Sequence, residues 1–303
     1  MSSEPKKVFP NEKWEHYKLY KHIKEAILSL PIYFRTDTII TGFSATDIFT
    51  LNSALGVTIE DQVVYTLNQM RSIWDPDEKY TLYAFFRQTQ TFPDVLLKKI
   101  SADKEKEDII LGIELKGWYL LAKEGEPSLR FKVTPSACAV PDLLVVVPWA
   151  LSNVISGHPK VFSPYIESAR YAAEYRNYHW TNLREAKTDN KIEQPAKASP
   201  YPKKSDQILD RPTSDAGGNF GRVPRTGIMD DYLQRIKSEY LCGISAEHWL
   251  KFFKLFQEQS DEKTINSEIE NLRRRIKEEE KKLDKEKINA MYKILEGITD
   301  LIK

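Results

Sequence analysis

Apolar and polar residues alternate most regularly in Ile109-Ile110-Leu111-Gly112-Ile113-Glu114-Leu115-Lys116-Gly117-Trp118. Successive strand side chains point to opposite faces, so Ile109, Leu111, Ile113 and Leu115 form one apolar face while Glu114 and Lys116 lie on the other. A second apolar run, Val95-Leu96-Leu97, follows Phe92-Pro93-Asp94, and the polar stretch 101–108 between the two runs predicts a hairpin connection. Centred between Lys104 and Glu105, the hairpin sets Asp94 opposite Leu115. Cross-strand neighbours lie roughly 5–8 Å apart, so Asp94, Glu114 and Lys116 are expected to converge even with a one-residue error in register. Asp108 has the parity of Glu114, but the strand between them separates the two by about 20 Å, too far to share one ion.

Elsewhere the periodicity changes. Spacings of three and four predict a helix over 13–29 (Trp14, Tyr17, Tyr20, Ile23, Ile27) and a second helical region over 46–73 that Gly56 bends or divides. The aromatic run 79–87 suits a strand. Residues 142–151 have the continuous apolar character of a central strand buried on both faces. A helix is expected over 164–185, with Arg170 and Arg176 interleaved among Tyr171, Tyr175 and Tyr178. Such a helix suits contacts to phosphates and base edges, or packing of its tyrosine face on the sheet.

From 187 to 227 the apolar residues thin out, and prolines and glycines accumulate with eight basic and five acidic residues. This stretch is expected to be a basic loop or linker, either folding around a nucleic-acid groove or tethering two subdomains. Residues 228–303 read as helical throughout. A broken heptad pattern and nine acids against nine bases over 261–287 suggest a salt-bridged helical hairpin or dimer arm. The expected organisation is therefore a core with N-terminal helices over 1–186, the loop over 187–227, and a helical C-terminal subdomain over 228–303.

Composition narrows the classes. With 303 residues, 41% of them apolar, the chain can bury one good core and carry a further small subdomain. Its two cysteines and five histidines show no metal-ligand spacing, which speaks against zinc, and so few cysteines suit a reducing compartment. The apolar stretch 139–151 is interrupted by Pro141, Asp142 and Pro148, and the start of the chain lacks an apolar leader, so a cytoplasmic location without membrane insertion is expected. The net charge of +1 argues against a chain that simply coats nucleic acid, but not against an enzyme whose bases cluster on one face.

Two carboxylates on rigid strands are a hard-oxygen site of the kind Mg²⁺ prefers. A lysine beside them can orient an attacking water and offset charge on a phosphate, which makes metal-assisted phosphodiester hydrolysis the natural chemistry. The bland alternative is an ordinary Glu114–Lys116 ion pair on a solvated strand face.

Pro93-Asp94 followed by Glu114-Leu115-Lys116 resembles the PD-(D/E)XK nuclease superfamily, and more particularly its type II restriction endonucleases, over roughly residues 45–186. The resemblance implies an α/β fold of the α+β type: a restriction-endonuclease-like mixed central sheet flanked by helices, here with the helical C-terminal subdomain. It implies Asp94 and Glu114 as Mg²⁺ ligands, with Mn²⁺ able to substitute, the carbonyl of Leu115 as a further ligand, and Lys116 beside the nucleophilic water. Glu60 matches the acidic helix residue that members often carry, and it could equally be a solvated or capping residue. Double-stranded DNA would be cut to 5′-phosphate and 3′-hydroxyl ends by a homodimer, with a cognate methyltransferase encoded nearby. Candidate DNA contacts are Gln88, Gln90, Arg170, Arg176, Lys203, Lys204, Arg222 and Arg225. Two other readings stand beside this one: a structure-selective repair or recombination nuclease of the same fold, and a non-catalytic helical interaction protein.

Overall fold

The computed structural model describes residues 3–42, 47–88, 91–100, 108–185, 189–215, 217–257, 261–279 and 293. In chain order its elements begin with α1 (Tyr17–Leu28), α2 (Leu30–Tyr33), α3 (Leu51–Gln69) and α4 (Arg71–Trp74). The strands β1 (Tyr83–Arg87), β2 (Val95–Lys99), β3 (Ile109–Tyr119), β4 (Leu143–Leu151), β5 (Pro159–Val161) and β6 (Tyr165–Ser168) follow, and then α5 (Ala169–Tyr178). The remainder holds β7 (Ile192–Glu193), β8 (Arg211–Pro212), α6 (Asp230–Lys237), β9 (Tyr240–Leu241), β10 (Ile244–Ser245), α7 (Ala246–Gln257) and α8 (Glu262–Glu279).

Strands β1 to β6 form one mixed sheet in the order β1-β2-β3-β4-β5, with β6 also paired to β4. The first three run antiparallel, β3 and β4 are parallel, and β5 and β6 each return antiparallel to β4. The expected mixed α+β architecture of a sheet flanked by helices is present. All nine residues of β4 are buried, as its unbroken apolar run predicts. In β3 only Ile109, Glu114 and Lys116 escape full burial, so this strand too is covered on both faces, and its two ionisable residues sit where the cover opens.

The hairpin register differs from expectation by one residue. Val95 stands opposite Ile113 and Leu97 opposite Leu111, a spacing that sets Asp94 opposite Glu114 rather than Leu115. Beside the connection Lys98 stands opposite Ile109, two residues from the expected pairing because the hairpin is centred between Asp103 and Lys104, and the irregularity between Leu97 and Lys98 takes back one of the two.

Several element boundaries also shift. The first helix begins at Tyr17 rather than 13. The second runs unbroken through Gly56, which is buried there, and ends at Gln69 before a separate turn of helix, α4. The strand expected over 79–87 is confined to β1. The helix expected over 164–185 opens as strand β6 because β4 offers it a pairing edge. Helix then starts where Ser168 Oγ accepts the Tyr171 N–H at 3.3 Å, and its last turn, 179–183, widens to a π-helix.

The Pro/Gly-rich stretch is irregular but is not a tether among its described residues. Val133 bridges Leu209, Arg130 bridges Arg222, and β7 pairs with β8. Phe220 and Asp210 are buried within the body. The C-terminal part is not helical throughout either: β9 and β10 form a two-residue hairpin at Cys242-Gly243, both with positive φ (49° and 77°), the backbone that tight primed turns require. Helices α7 and α8 follow, with Ile265, Ile269 and Leu272 buried. Of the arm expected over 261–287, residues 280–287 lie outside the described residues. No helix among the described residues is long and apolar enough to cross a membrane.

Candidate functional site

Asp94 opens β2 under tight control of the preceding loop. Its carbonyl accepts the Gln88 N–H at 2.6 Å, and Gln88 Nε2 donates to the Pro93 carbonyl at 2.8 Å. Gln88, a candidate DNA contact, thus has its side-chain amide spent on holding the loop. Gln90 lies outside the described residues. Across the hairpin Gly112 leaves room for Pro93, because a Cβ there would overlap the proline ring. Asp94 Oδ2 then accepts the Leu115 N–H at 3.0 Å, which locks the carboxylate beside β3.

Glu114 and Asp94 line the same cavity of about 370 Å³, together with Phe92, Lys203, Lys204 and Asp206. Burial pushes the Asp94 carboxyl up to about 6, with the charge of Glu60 adding to the effect and the Leu115 N–H, Arg87 and Lys116 opposing it. Glu114 is raised well above its ordinary value, by burial first and then by the charge of Asp94. Two carboxylates at adjacent strand positions therefore disfavour each other's ionisation. Such a pair offers hard oxygen donors whose repulsion a divalent cation relieves, so the donor set fits Mg²⁺, which one or two carboxylates suffice to hold.

Glu60 does not complete a carboxylate trio. Its Oε1 accepts the Gly117 N–H at 3.0 Å and stands 3.6 Å from Lys116 Nζ, while Oε2 lies 3.1 Å from Arg87 Nη2. Arg87 also pairs with Asp61. Among the described residues no group of three or more histidines, cysteines or acids is arranged to hold a metal ion. The arrangement is instead a pair, Asp94 and Glu114, next to a Glu60–Lys116–Arg87 cluster in which Glu60 fixes the lysine. Leu115 is buried in the core on the opposite face of β3, so only its backbone faces the site.

The candidate DNA contacts divide. Lys203 and Lys204 line the carboxylate cavity. Arg170 is a partly exposed residue paired with Glu174 at 3.2 Å. Arg222 and Arg225 line a different cavity. Arg176 is corrected outright: it is 1% exposed and bound to Asp210 at 2.5 Å and to the carbonyls of Phe131 and Val133 at 2.6 and 3.1 Å, so it is a structural strut and not a nucleic-acid contact.

Sequence reasoning missed two residues. Arg87 appeared only as the end of the aromatic run expected to be a strand, and nothing in that run marks it as a partner of Glu60. Asp142 appeared only as the first residue of one apolar run and an interruption of a longer one. It is fully buried, its two oxygens accept the Gly112 and Ala139 N–H groups at 2.7 Å each, and Tyr201 donates to it at 3.2 Å. Burial pushes Asp142 up to about 7 against those hydrogen bonds. No local pattern marks such a bracket between two strands.

Comparison of the chain with protein families, curated proteins and solved structures finds no match.

Proposed function

We propose that the chain is a metal-dependent nuclease of the PD-(D/E)XK kind, hydrolysing phosphodiester bonds of double-stranded DNA as a type II restriction endonuclease does. The observation that carries this reading is the pairing of Asp94 with Glu114 at one end of a cavity that also presents Lys203 and Lys204. Carboxylates destabilised by burial and by each other call for a cation, and lysines on the facing loop suit a polyanion.

Asp94 and Glu114 would hold Mg²⁺ or Mn²⁺, with the Leu115 carbonyl as a further ligand. When bound, the metal polarises the phosphate and lowers the pKa of an attacking water. The chain's own residues do the rest. The Leu115 N–H holds Asp94 in place, and Glu60 holds Lys116 beside the pair, where its ammonium can orient water and offset charge developing on the phosphate. Arg87 keeps Glu60 from turning toward the carboxylates. A homodimer would give each DNA strand its own site, and a methyltransferase would protect the host's copies.

The test is digestion of mixed-sequence duplex DNA with Mg²⁺, and with EDTA, by wild type, Asp94→Ala and Lys116→Ala, alongside calorimetric titration of the metal. Discrete bands that vanish with EDTA and in both variants support the restriction reading. Undiminished cutting by both variants removes these catalytic roles, and absence of metal binding with or without DNA favours the interaction-protein reading.

A further inference from the structure

A second cavity, of about 200 Å³, is lined by Arg176, Trp180, Arg184, Asn219, Arg222 and Arg225. One hydrogen bond links it to the first: Val133 lines the carboxylate cavity, and its carbonyl accepts from Arg176.

The charges around this second cavity do not cancel. Arg176 is neutralised by Asp210, and Arg225 by Glu126 at 2.7 Å. Arg184 donates to the neutral Asn190 at 3.1 Å and has no carboxylate partner among the described residues, and neither does Arg222. The adjoining stretches 186–188 and 216 contain no acidic residue that could supply one.

The hydrogen-bond account points the same way. Trp180 Nε1, Arg184 Nε and Arg222 Nε are buried donors with no acceptor among the described residues, and all three belong to side chains lining this one cavity. Buried donors left unpaired destabilise a fold, the more so when charged, so their concentration at one place needs an explanation. Arg184 is also stacked on the Trp180 ring, its guanidinium carbon 3.4 Å from the ring centroid, and is thereby oriented in advance.

We propose that the Arg184–Arg222 pocket binds a phosphate monoester or inorganic phosphate. Two uncompensated guanidinium groups match the charge of about −1.5 to −2 that such an anion carries at neutral pH, and its oxygens accept charge-assisted hydrogen bonds from guanidinium N–H groups. The cavity is smaller than the roughly 300–1,000 Å³ typical of organic-ligand sites, which suits a single tetrahedral anion. The proposal rests on the arginine pocket alone and is independent of metal chemistry at Asp94. It is also distinct from DNA backbone binding, because a diester carries only one charge.

The experiment is calorimetric titration of inorganic phosphate into the full chain at constant ionic strength, with wild type, Arg184→Gln, Arg222→Gln and the double variant, each first shown to melt cooperatively. Saturable binding is expected in wild type, weakened at least tenfold in each single variant and lost in the double one. It is expected to survive in Asp94→Ala, so that failure here and failure of the nuclease reading are told apart. Should Arg222→Gln not fold, Arg222→Lys keeps the charge, and loss of the two-pronged fork is expected to weaken binding several-fold.

Competition separates the sources. Displacement of phosphate by a 5′-phosphorylated oligonucleotide but not by its unphosphorylated twin assigns a strand end, and displacement by neither assigns the free anion. Displacement by both means that a diester occupies the pocket and overturns the assignment. So does the absence of saturable binding to folded wild type at millimolar phosphate, or unchanged affinity in the folded double variant.

Discussion

At Arg176 the guanidinium meets Asp210, Asn177 and two backbone carbonyls, so that one positive charge is matched by one negative charge and its donors are paired. At Asp94 and Glu114, two like charges are drawn toward the same cavity and both carboxyls are pushed upward. The first cluster is what a fold needs in order to bury charge safely. The second costs stability unless something outside the chain relieves it, and that asymmetry separates a strut from a site. A charged residue in a suggestive sequence position can belong to either class, and only the identity of its neighbours decides.

Four perturbations break or sharpen that contrast. The largest effect is expected from Asp210→Ala, which strands Arg176 in the interior. Urea denaturation should show a loss of about 3–5 kcal/mol, and a variant as stable as wild type would mean that the pair is not structural. Next, Asp94→Asn should slow DNA cleavage by about 10²–10³-fold, equivalent to about 3–4 kcal/mol, while stability stays level or rises, because a disfavoured charge is removed. A fall in melting temperature equal to that of Asp210→Ala would erase the distinction between the two clusters.

The third perturbation is pH. The folded chain holds the Asp142 proton up to about pH 7, whereas the ordinary aspartate value is 3.8. Between those values the unfolded state binds fewer protons, so the stability due to this group is greatest below about pH 4 and is lost as pH rises through 7. The drop should be on the order of 2 kcal/mol, measurable by denaturation at pH 5 and pH 8. If Asp142→Asn keeps the full slope, the titrating group lies elsewhere. Smallest is Glu60→Gln, which loosens Lys116. A decrease of about tenfold in kcat with KM unchanged is expected from steady-state cleavage rates, and a change confined to KM would make Glu60 a binding residue instead.

Much of this arrangement is legible along the chain because it rests on strand parity. Glu114 and Lys116 on one face and Leu115 on the other follow from alternation alone, and the nine buried residues of β4 follow from an unbroken apolar run. The register is missed by one residue because the polar stretch does not show where the connection is centred, and a bulge, which leaves no trace in the alternation, recovers only part of the offset. Arg176 is misjudged for a different reason. An arginine among tyrosines on a helix reads as a surface contact until Asp210, 34 residues later, is known to return to it. The folding-back of 187–227 is hidden likewise, since its anchors are single residues such as Phe220 and Asp210 scattered in a polar background.

The close approach of α3 to β3 has one further consequence. A Cβ at Gly117 would stand 3.4 Å from the Gly56 carbonyl and 3.6 Å from Glu60 Cγ. The lysine's neighbourhood is thus set by two backbones nearly touching, with no surface loop involved in the spacing. Pro202, Lys203, Lys204, Asp206, Ile208 and Leu209 line the cavity from elsewhere in the chain, so its lining and the spacing of α3 and β3 are set by separate segments.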